Sequence, residues 1–228
     1  MPELKDNSFR YLWNTRFLFG ILIVQGIFFL NSILTVAMQY GMISSSIVHF
    51  YNDHILLKLL YLGLGYYFIY IGWHVFFILW LYRAYSNLQK RSEEELYAKN
   101  WIIFAWFIPL VNLFLPYRLM KNLFSTTELL LKNDSVDQRI KTKKILLDWQ
   151  ILFVFTIVFG WLFFVFQFMK FNFDLGKFAI AVFIIQLATI LFVLSKFRLI
   201  RHYRALELKL NAQTIDHLHY HGEDLLDQ

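Results

Sequence analysis

Two long runs of uncharged apolar residues constrain this chain more than any other feature of its sequence. No Asp, Glu, Lys or Arg occurs in residues 17–38 or in residues 59–82. Each run is longer than the roughly 20 residues that an α-helix needs to cross the hydrocarbon core of a bilayer. Only 17% of the residues are charged, whereas charged residues make up about a quarter of a soluble domain. The sequence therefore predicts an integral membrane protein.

The alternation of apolar and polar segments predicts an all-α membrane protein with one helical transmembrane domain over residues 17–200. Residues 1–16 form a short head, and residues 201–228 form a tail. Within the domain we expect a polar connection over residues 41–53 and a charged loop over residues 133–144. The predicted spans cover residues 17–38, 55–82, 146–169 and 178–199.

A fifth apolar segment, residues 101–115, is too short for an ordinary span and contains Pro109. The distribution of Lys and Arg decides whether it crosses. If both its ends face the cytoplasm, 19 of the 22 Lys and Arg residues are cytoplasmic. If it crosses, giving five transmembrane helices, only 9 are inside and 13 are outside. The first arrangement agrees with the positive-inside rule, so we predict four spans with both termini in the cytoplasm.

Residues 101–132 are then predicted to form a proline-broken re-entrant or interfacial helix. Non-helical backbone at membrane depth must be buried in protein or face water. Its second half places Leu119, Met120, Leu123 and Phe124 at helical amphipathic spacing, which suits a helix lying in the interface.

Two motifs carry a family resemblance. The first is a helix end with Trp80, Arg83, Ala84, Asn87 and Leu88 in the pattern W-x-x-R-A-x-x-N-L. The second follows about twenty residues later in the pattern W-F-I-P-x-x-N-L-x-x-P-Y-R, and it contains Trp106, Pro109, Asn112, Pro116, Tyr117 and Arg118.

Together these motifs resemble the bacterial membrane family catalogued as domain of unknown function 4328, and the hydrophobic layout extends the likeness over residues 55–210. Phe124 departs mildly from the family pattern, which often has Trp in that run. The resemblance implies a multi-pass protein of the bacterial inner membrane. It implies no activity, because the family has none assigned.

The prolines of the second motif predict a local break. Pro109 removes a backbone donor and bends the chain, and Asn112 offers an amide to groups released by that bend. Pro116 is placed to restart a helix in its first turn. Gly63, Gly65 and Gly72 of the second span lack a side chain, so we expect the re-entrant segment to approach closely there.

Arg83 and Arg118 are the candidate binding residues. Both are predicted at the cytoplasmic boundary, where Asn87 and Tyr117 add neutral hydrogen-bonding groups. A shared site of this kind would bind a lipid phosphate, a carboxylate or an acidic partner side chain. The alternative is that both arginines extend to the interface and satisfy loop carbonyls.

Other chemistry has weaker support. The absence of cysteine excludes thiolate catalysis and cysteine-ligated metals. The basic residues flank apolar segments, so we expect no nucleic-acid partner. His74 is the one histidine within a span; it could serve as a haem ligand or a proton relay, but a lone histidine favours a structural role. The tail residues His217, His219 and His221 are weak metal candidates, and a flexible polar tail is the preferred reading.

The sequence thus favours a non-catalytic accessory or scaffolding subunit without a cofactor, whose partners are membrane lipids and other membrane proteins. A pore or carrier for a small solute, lined by the proline break, is the alternative. A membrane enzyme acting on lipid is the second alternative.

Overall fold

The computed structural model describes residues 6–92, 96–131, 136–168 and 175–223. Within these residues the backbone forms eight α-helices and no strand. The helices are α1 (Ser8–Gln39), α2 (Ser45–His54), α3 (Leu56–Gln89), α4 (Lys99–Phe104), α5 (Pro109–Asn112), α6 (Leu115–Leu130), α7 (Val136–Phe168) and α8 (Leu175–Glu223).

Four of these helices contain segments long and apolar enough to cross a membrane, judged by length and composition. They correspond one to one to the four predicted spans, and α4, α5 and α6 are not among them. The prediction of an all-α membrane protein with four candidate spans is confirmed. The candidate segments are Ser8–Gln39, Leu57–Gln89, Val136–Leu162 and Gly176–Gln213.

The helices continue well beyond the apolar runs. The predicted charged loop at 133–144 is wrong from Val136 onward, because α7 begins there. Similarly, the predicted polar connection contains α2, and α8 continues into the predicted tail. The physical reason is that these polar stretches still place some residues against the protein core. Thr142, Leu206 and Leu210 are all buried.

A glycine ends α1. Gly41 has a φ of 68°, a left-handed conformation that glycine adopts without steric cost. The backbone N–H of Met42 donates to the carbonyl of Ala37 at 3.0 Å. This hydrogen bond satisfies a carbonyl that would otherwise be unpaired at the helix end.

The chain divides into two compact units. Unit 1 comprises Met1–Tyr11, Phe77–Asp148 and Phe197–Gln228, and unit 2 comprises Leu12–Phe76 and Trp149–Lys196. Aromatic and branched side chains fill both interiors. The core of unit 1 includes Trp80, Leu81, Tyr85, Leu119, Phe124 and Tyr203; that of unit 2 includes Leu18, Ile21, Trp73, Trp149 and Phe192.

In unit 1, polar contacts join the start of α1 to α8. The guanidinium of Arg204 donates to Ser8 Oγ at 2.7 Å and forms a 2.9 Å ion pair with Glu207. Ser8 in turn donates from its hydroxyl, at 2.6 Å, and from its backbone N–H, at 2.9 Å, to Asp6 Oδ1. The first turn of α1 is therefore held by a hydrogen-bonded chain rather than by apolar contacts alone.

In unit 2, two of the three glycines of α3 lie against α1. A methyl group added at Gly72 would lie 3.4 Å from the ring of Phe17, and one added at Gly63 would lie 3.8 Å from the ring of Phe28. The close approach of the re-entrant segment to the glycines of α3 stays a prediction.

Candidate functional site

The proline motif contains the four-residue helix α5 and the start of α6, which is 16 residues long. The structure confirms that Pro116 lies in the first turn of α6, and it shows that Pro109 likewise opens α5. The missing N–H of proline costs nothing in a first turn. Ile108, which precedes Pro109, is extended at φ −90° and ψ 114°, as the proline ring requires. The two prolines therefore set the points at which the chain changes direction.

Contrary to the prediction, the side-chain amide of Asn112 does not pair with the described backbone groups that are released at the break. Its backbone N–H donates to the carbonyl of Ile108 at 2.8 Å. Its side-chain Oδ1 is buried and has no hydrogen-bond partner among the described residues.

The amphipathic prediction for α6 is confirmed as a helix with one buried face. The residues of this face are at most 1% exposed: Leu119, Met120, Leu123 and Phe124. In this unit that face packs on protein. The ring of Phe124 stacks on His202 at 5.7 Å and meets Tyr203 edge-on at 5.3 Å.

Tyr85 connects the first motif to the residues that follow the second motif on α6. It is wholly buried on α3. Its hydroxyl donates to the backbone carbonyl of Leu119 and lies 3.3 Å from Asn122 Oδ1. The sequence analysis did not single out Tyr85, although it lies two residues after Arg83 inside the first motif.

A pocket of about 410 Å³ opens beside the second motif in unit 1. Its volume is within the range of about 300–1,000 Å³ that is usual for small-molecule sites. The lining is apolar and aromatic except for one guanidinium, and consists of Tyr97, Trp101, Val111, Phe114, Leu115 and Arg118.

The predicted anion-binding residues have different surroundings. Arg118 is exposed and lines the pocket. Arg83, Asn87 and Tyr117 are half-buried and are not among the residues that line it. Arg83 lies within electrostatic range of Arg10 on α1. A site shared by Arg83 and Arg118 stays a prediction.

Of the two motif tryptophans, Trp80 is a core residue and Trp106 is half-buried. Trp80 is fully buried and contacts the ring of Tyr203 edge-on at 5.5 Å. Trp106 contacts the ring of Phe77 edge-on at 5.2 Å. Neither side chain lines the pocket.

The sequence analysis identified Arg118 but missed the aromatic side of the pocket. Tyr97 precedes α4, Trp101 lies on α4, and Phe114 precedes α6. Their separation along the chain gave no sign that they meet. The aromatic residues at both ends of the short apolar segment were the available signal.

A second polar cluster joins α6, α7 and α8 within unit 1. The hydroxyl of Thr142 donates to the carboxylate of Glu128 and lies 2.9 Å from His202 Nε2. A hydroxyl has one hydrogen, so His202 Nε2–H donates to Thr142. Glu128 and Thr142 are buried. This arrangement satisfies a buried carboxylate, as burial of a charge requires.

Among the described residues no group of three or more His, Asp or Glu side chains could hold a metal ion. The side chains of His217, His219 and His221 lie outside the part of the structure that is described, so their metal prediction is not tested.

Four apolar helices and a pocket beside a proline-broken segment define an α-helical membrane protein with a candidate small-molecule site. The chain belongs to the family described as Domain of unknown function (DUF4328), whose model matches residues 58–207, about two thirds of the 228 residues. The predicted resemblance is confirmed, and the match includes both motifs and the entire lining of the pocket. No curated protein and no solved structure matches the chain.

Proposed function

We propose that this protein is a membrane-embedded binding module that holds an anionic amphiphile, namely an acidic membrane lipid, in the pocket of unit 1. The observation that carries the proposal is the composition of the lining. Arg118 is the one charged side chain among its six residues, and the others supply aromatic and aliphatic surface.

This combination suits a ligand that is charged at one end and apolar at the other. A guanidinium forms forked hydrogen bonds to phosphate or carboxylate. Trp101 and Tyr97 present large amphipathic rings, which favour the boundary between headgroups and acyl chains. Phe114 and Val111 offer apolar surface to the methylene groups that follow the headgroup.

The surroundings of the pocket support contact with lipid. Phe107 is 69% exposed and Leu110 is 78% exposed. Exposed apolar clusters of this kind mark surfaces that contact membranes or partners. In our proposal α4 and α5 lie in the cytoplasmic interface as a re-entrant element, and the apolar side chains around the pocket contact acyl chains.

The protein acts in this proposal by binding, as an accessory or scaffolding subunit of the bacterial inner membrane with both termini in the cytoplasm. The exposed apolar surface of its long helices supports partner contact as well as lipid contact, and Phe68 on α3 is 77% exposed. Co-purification from native membranes in mild detergent tests the accessory role. Recovery of the protein alone would contradict it.

The lipid site is tested by native mass spectrometry of the delipidated protein with added phosphatidylglycerol or phosphatidylcholine. We expect preferential binding of phosphatidylglycerol. Arg118→Gln should weaken it by about 10- to 100-fold, which corresponds to a charge-assisted hydrogen bond of roughly 1.5–3 kcal/mol. Arg118→Lys should weaken it less, because charge is kept and only the fork is lost.

Lys121→Gln is the matched control, since Lys121 is exposed on the same helix and does not line the pocket. It should leave binding within about twofold of the unmodified protein, because only a distant screened charge is removed. Equal losses in the Lys121 and Arg118 variants would mean that the lipid senses net charge alone, and the proposal would fail.

A further inference from the structure

A lysine lies in the apolar interior of unit 2. Lys196 on α8 is only 4% exposed. Its Nζ is 3.8 Å from the centroid of the Trp73 ring, 4.0 Å from that of Phe192 and 5.8 Å from that of Tyr70. Charged residues inside membrane spans are rare and tend to be functional.

No carboxylate compensates this amine within the described residues of unit 2. Asp53 is the one acidic side chain there, and it is exposed on α2. An ion without a partner in an apolar site costs several kcal/mol. A cation–π contact returns about 2 kcal/mol when desolvated. The aromatic cage therefore stabilises the charged ammonium form of Lys196 only in part, so both the charged and the neutral amine are accessible.

His74 is a second base in the same cage. Its ring lies edge-on to Trp73 at 4.6 Å and to Tyr70 at 4.3 Å. Its Nδ1 is 3.0 Å from the backbone carbonyl of Tyr70. A carbonyl only accepts, so Nδ1 carries the hydrogen, and Nε2 has the lone pair that can take up a proton.

The other elements of unit 2 bring little competing charge. Besides His74, α3 contributes Tyr70 to the cage, and the ring of Tyr66 stacks on that of Tyr70. The other titratable side chains of α3 in this unit, Lys58, Tyr61 and Tyr67, are exposed. The described α7 segment of this unit, residues 149–168, contains no Asp, Glu, Lys, Arg or His. On α1, the guanidinium of Arg16 lies over the ring of Trp13 at 5.5 Å. His49, Asp53 and His54 on α2 are exposed.

We propose that Lys196 and His74 form one proton-binding site in the interior of unit 2, and that this site holds a single proton. Two cations in one apolar cage repel each other strongly at low dielectric, so the second proton is excluded. The ligand class is the proton itself, taken up by the amine of Lys196 or by Nε2 of His74. This site is independent of the proposed lipid pocket.

The test uses ¹⁹F NMR of the full-length protein labelled with 5-fluorotryptophan, in detergent. Trp73 is assigned as the resonance that disappears in Trp73→Phe. We expect this resonance to shift as pH is varied. Lys196→Arg, which fixes the positive charge, should hold the resonance near the acid end of that shift and abolish most of its pH dependence, because the fixed charge excludes a proton from His74. Lys196→Met leaves His74 as the remaining base, so the resonance should still titrate with a moved midpoint. The double variant Lys196→Met with His74→Gln should hold the resonance near the alkaline end at every pH.

Two further variants keep the proposal falsifiable. Lys177→Met removes an exposed lysine of α8 and should titrate like the unmodified protein. His74→Gln should move the midpoint of the titration, because the two bases share one proton. A Trp73 resonance that does not respond to pH while circular dichroism reports a folded protein overturns the proposal. So does a full titration in Lys196→Arg, a full titration in the double variant Lys196→Met with His74→Gln, or an unchanged midpoint in His74→Gln.

Discussion

The hydroxyl of Tyr85 on α3 donates a hydrogen bond to the backbone carbonyl of Leu119 on α6. This bond spans 34 residues of sequence and joins the first sequence motif to the residue that directly follows the second. Its donor and the residue that accepts it are both fully buried. The proline-broken segment is thereby fastened to a long helix immediately after its last break.

Replacing Tyr85 with Phe should lower stability while preserving the fold. The aromatic packing is kept, and only the buried hydrogen bond is lost, at a cost of about 0.5–1.5 kcal/mol. The measurement is denaturant unfolding in detergent, followed by circular dichroism. Tyr82→Phe is the control, because Tyr82 lies on the same helix and is exposed. Equal stability of the Tyr85 and Tyr82 variants would contradict this role.

A substitution in the cluster of Glu128, Thr142 and His202 should lower stability more than the Tyr85 substitution does. Thr142→Val keeps the shape of the side chain but removes the hydroxyl donated to the buried carboxylate. Leaving a buried acceptor short of a donor costs about 1–3 kcal/mol. Ser125→Ala on the exposed side of α6 should change stability by less than about 0.5 kcal/mol. Both are measured as shifts in the unfolding midpoint, and a Thr142 variant as stable as the Ser125 variant would refute the interpretation.

The first turn of α1 should become less stable in acid. The pKa of Asp6 is lowered, mainly because its carboxylate accepts hydrogen bonds from the side chain and backbone of Ser8; Arg204 lowers it further. A carboxyl with a lowered pKa stabilises the fold when ionised, above its ordinary pKa near 4. That contribution is lost as pH falls through the folded-state value.

Hydrogen exchange of the amides of residues 8–11 measures this effect. Their protection, compared at each pH with that of mid-helix amides, should fall in acid. In Asp6→Asn the protection of these amides should be lower near neutral pH and should not fall further in acid. Asp137→Asn, at the exposed start of α7, should leave these amides unchanged. Persistence of the acid transition in Asp6→Asn would show that another group is responsible.

The sequence predicted the uncharged membrane-spanning runs correctly but not the helical structure of the charged segments. Uncharged runs such as residues 59–82 identify spans without reference to the rest of the fold, because bilayer thickness alone sets their length. Residues 136–145 are rich in Lys and Arg and suggested a loop, yet Thr142 is buried in a helix. Its contacts with α6 and α8 override the local pattern. The two proline positions set helix starts locally, so those were predictable.

The candidate site was predictable only in part. Arg118 follows the proline motif, so its position beside a break was evident. Its aromatic neighbours Tyr97 and Trp101 precede the break, and tertiary packing brings them to the same pocket. Likewise, His74 looked isolated because Lys196 is more than a hundred residues away along the chain.

The membrane topology is testable because the chain has no native cysteine. Cysteines introduced by Ser45→Cys, Asp137→Cys and Ala212→Cys occupy exposed positions. In intact cells only the first should react with a membrane-impermeant maleimide, if the topology predicted from the distribution of Lys and Arg holds. Labelling of the Asp137 variant from outside would mean that residues 101–115 cross the membrane.

The most direct test of the lipid-binding account is photocrosslinking with an anionic phospholipid that carries a diazirine near its headgroup. The full-length protein in bilayer nanodiscs should be crosslinked at Trp101 or Phe114, as mapped by peptide mass spectrometry. Arg118→Gln should reduce that adduct at least tenfold, a change of about 1.4 kcal/mol, while Lys121→Gln should not. Adducts spread evenly over the exposed faces of α1 and α3, with no dependence on Arg118, would contradict the account.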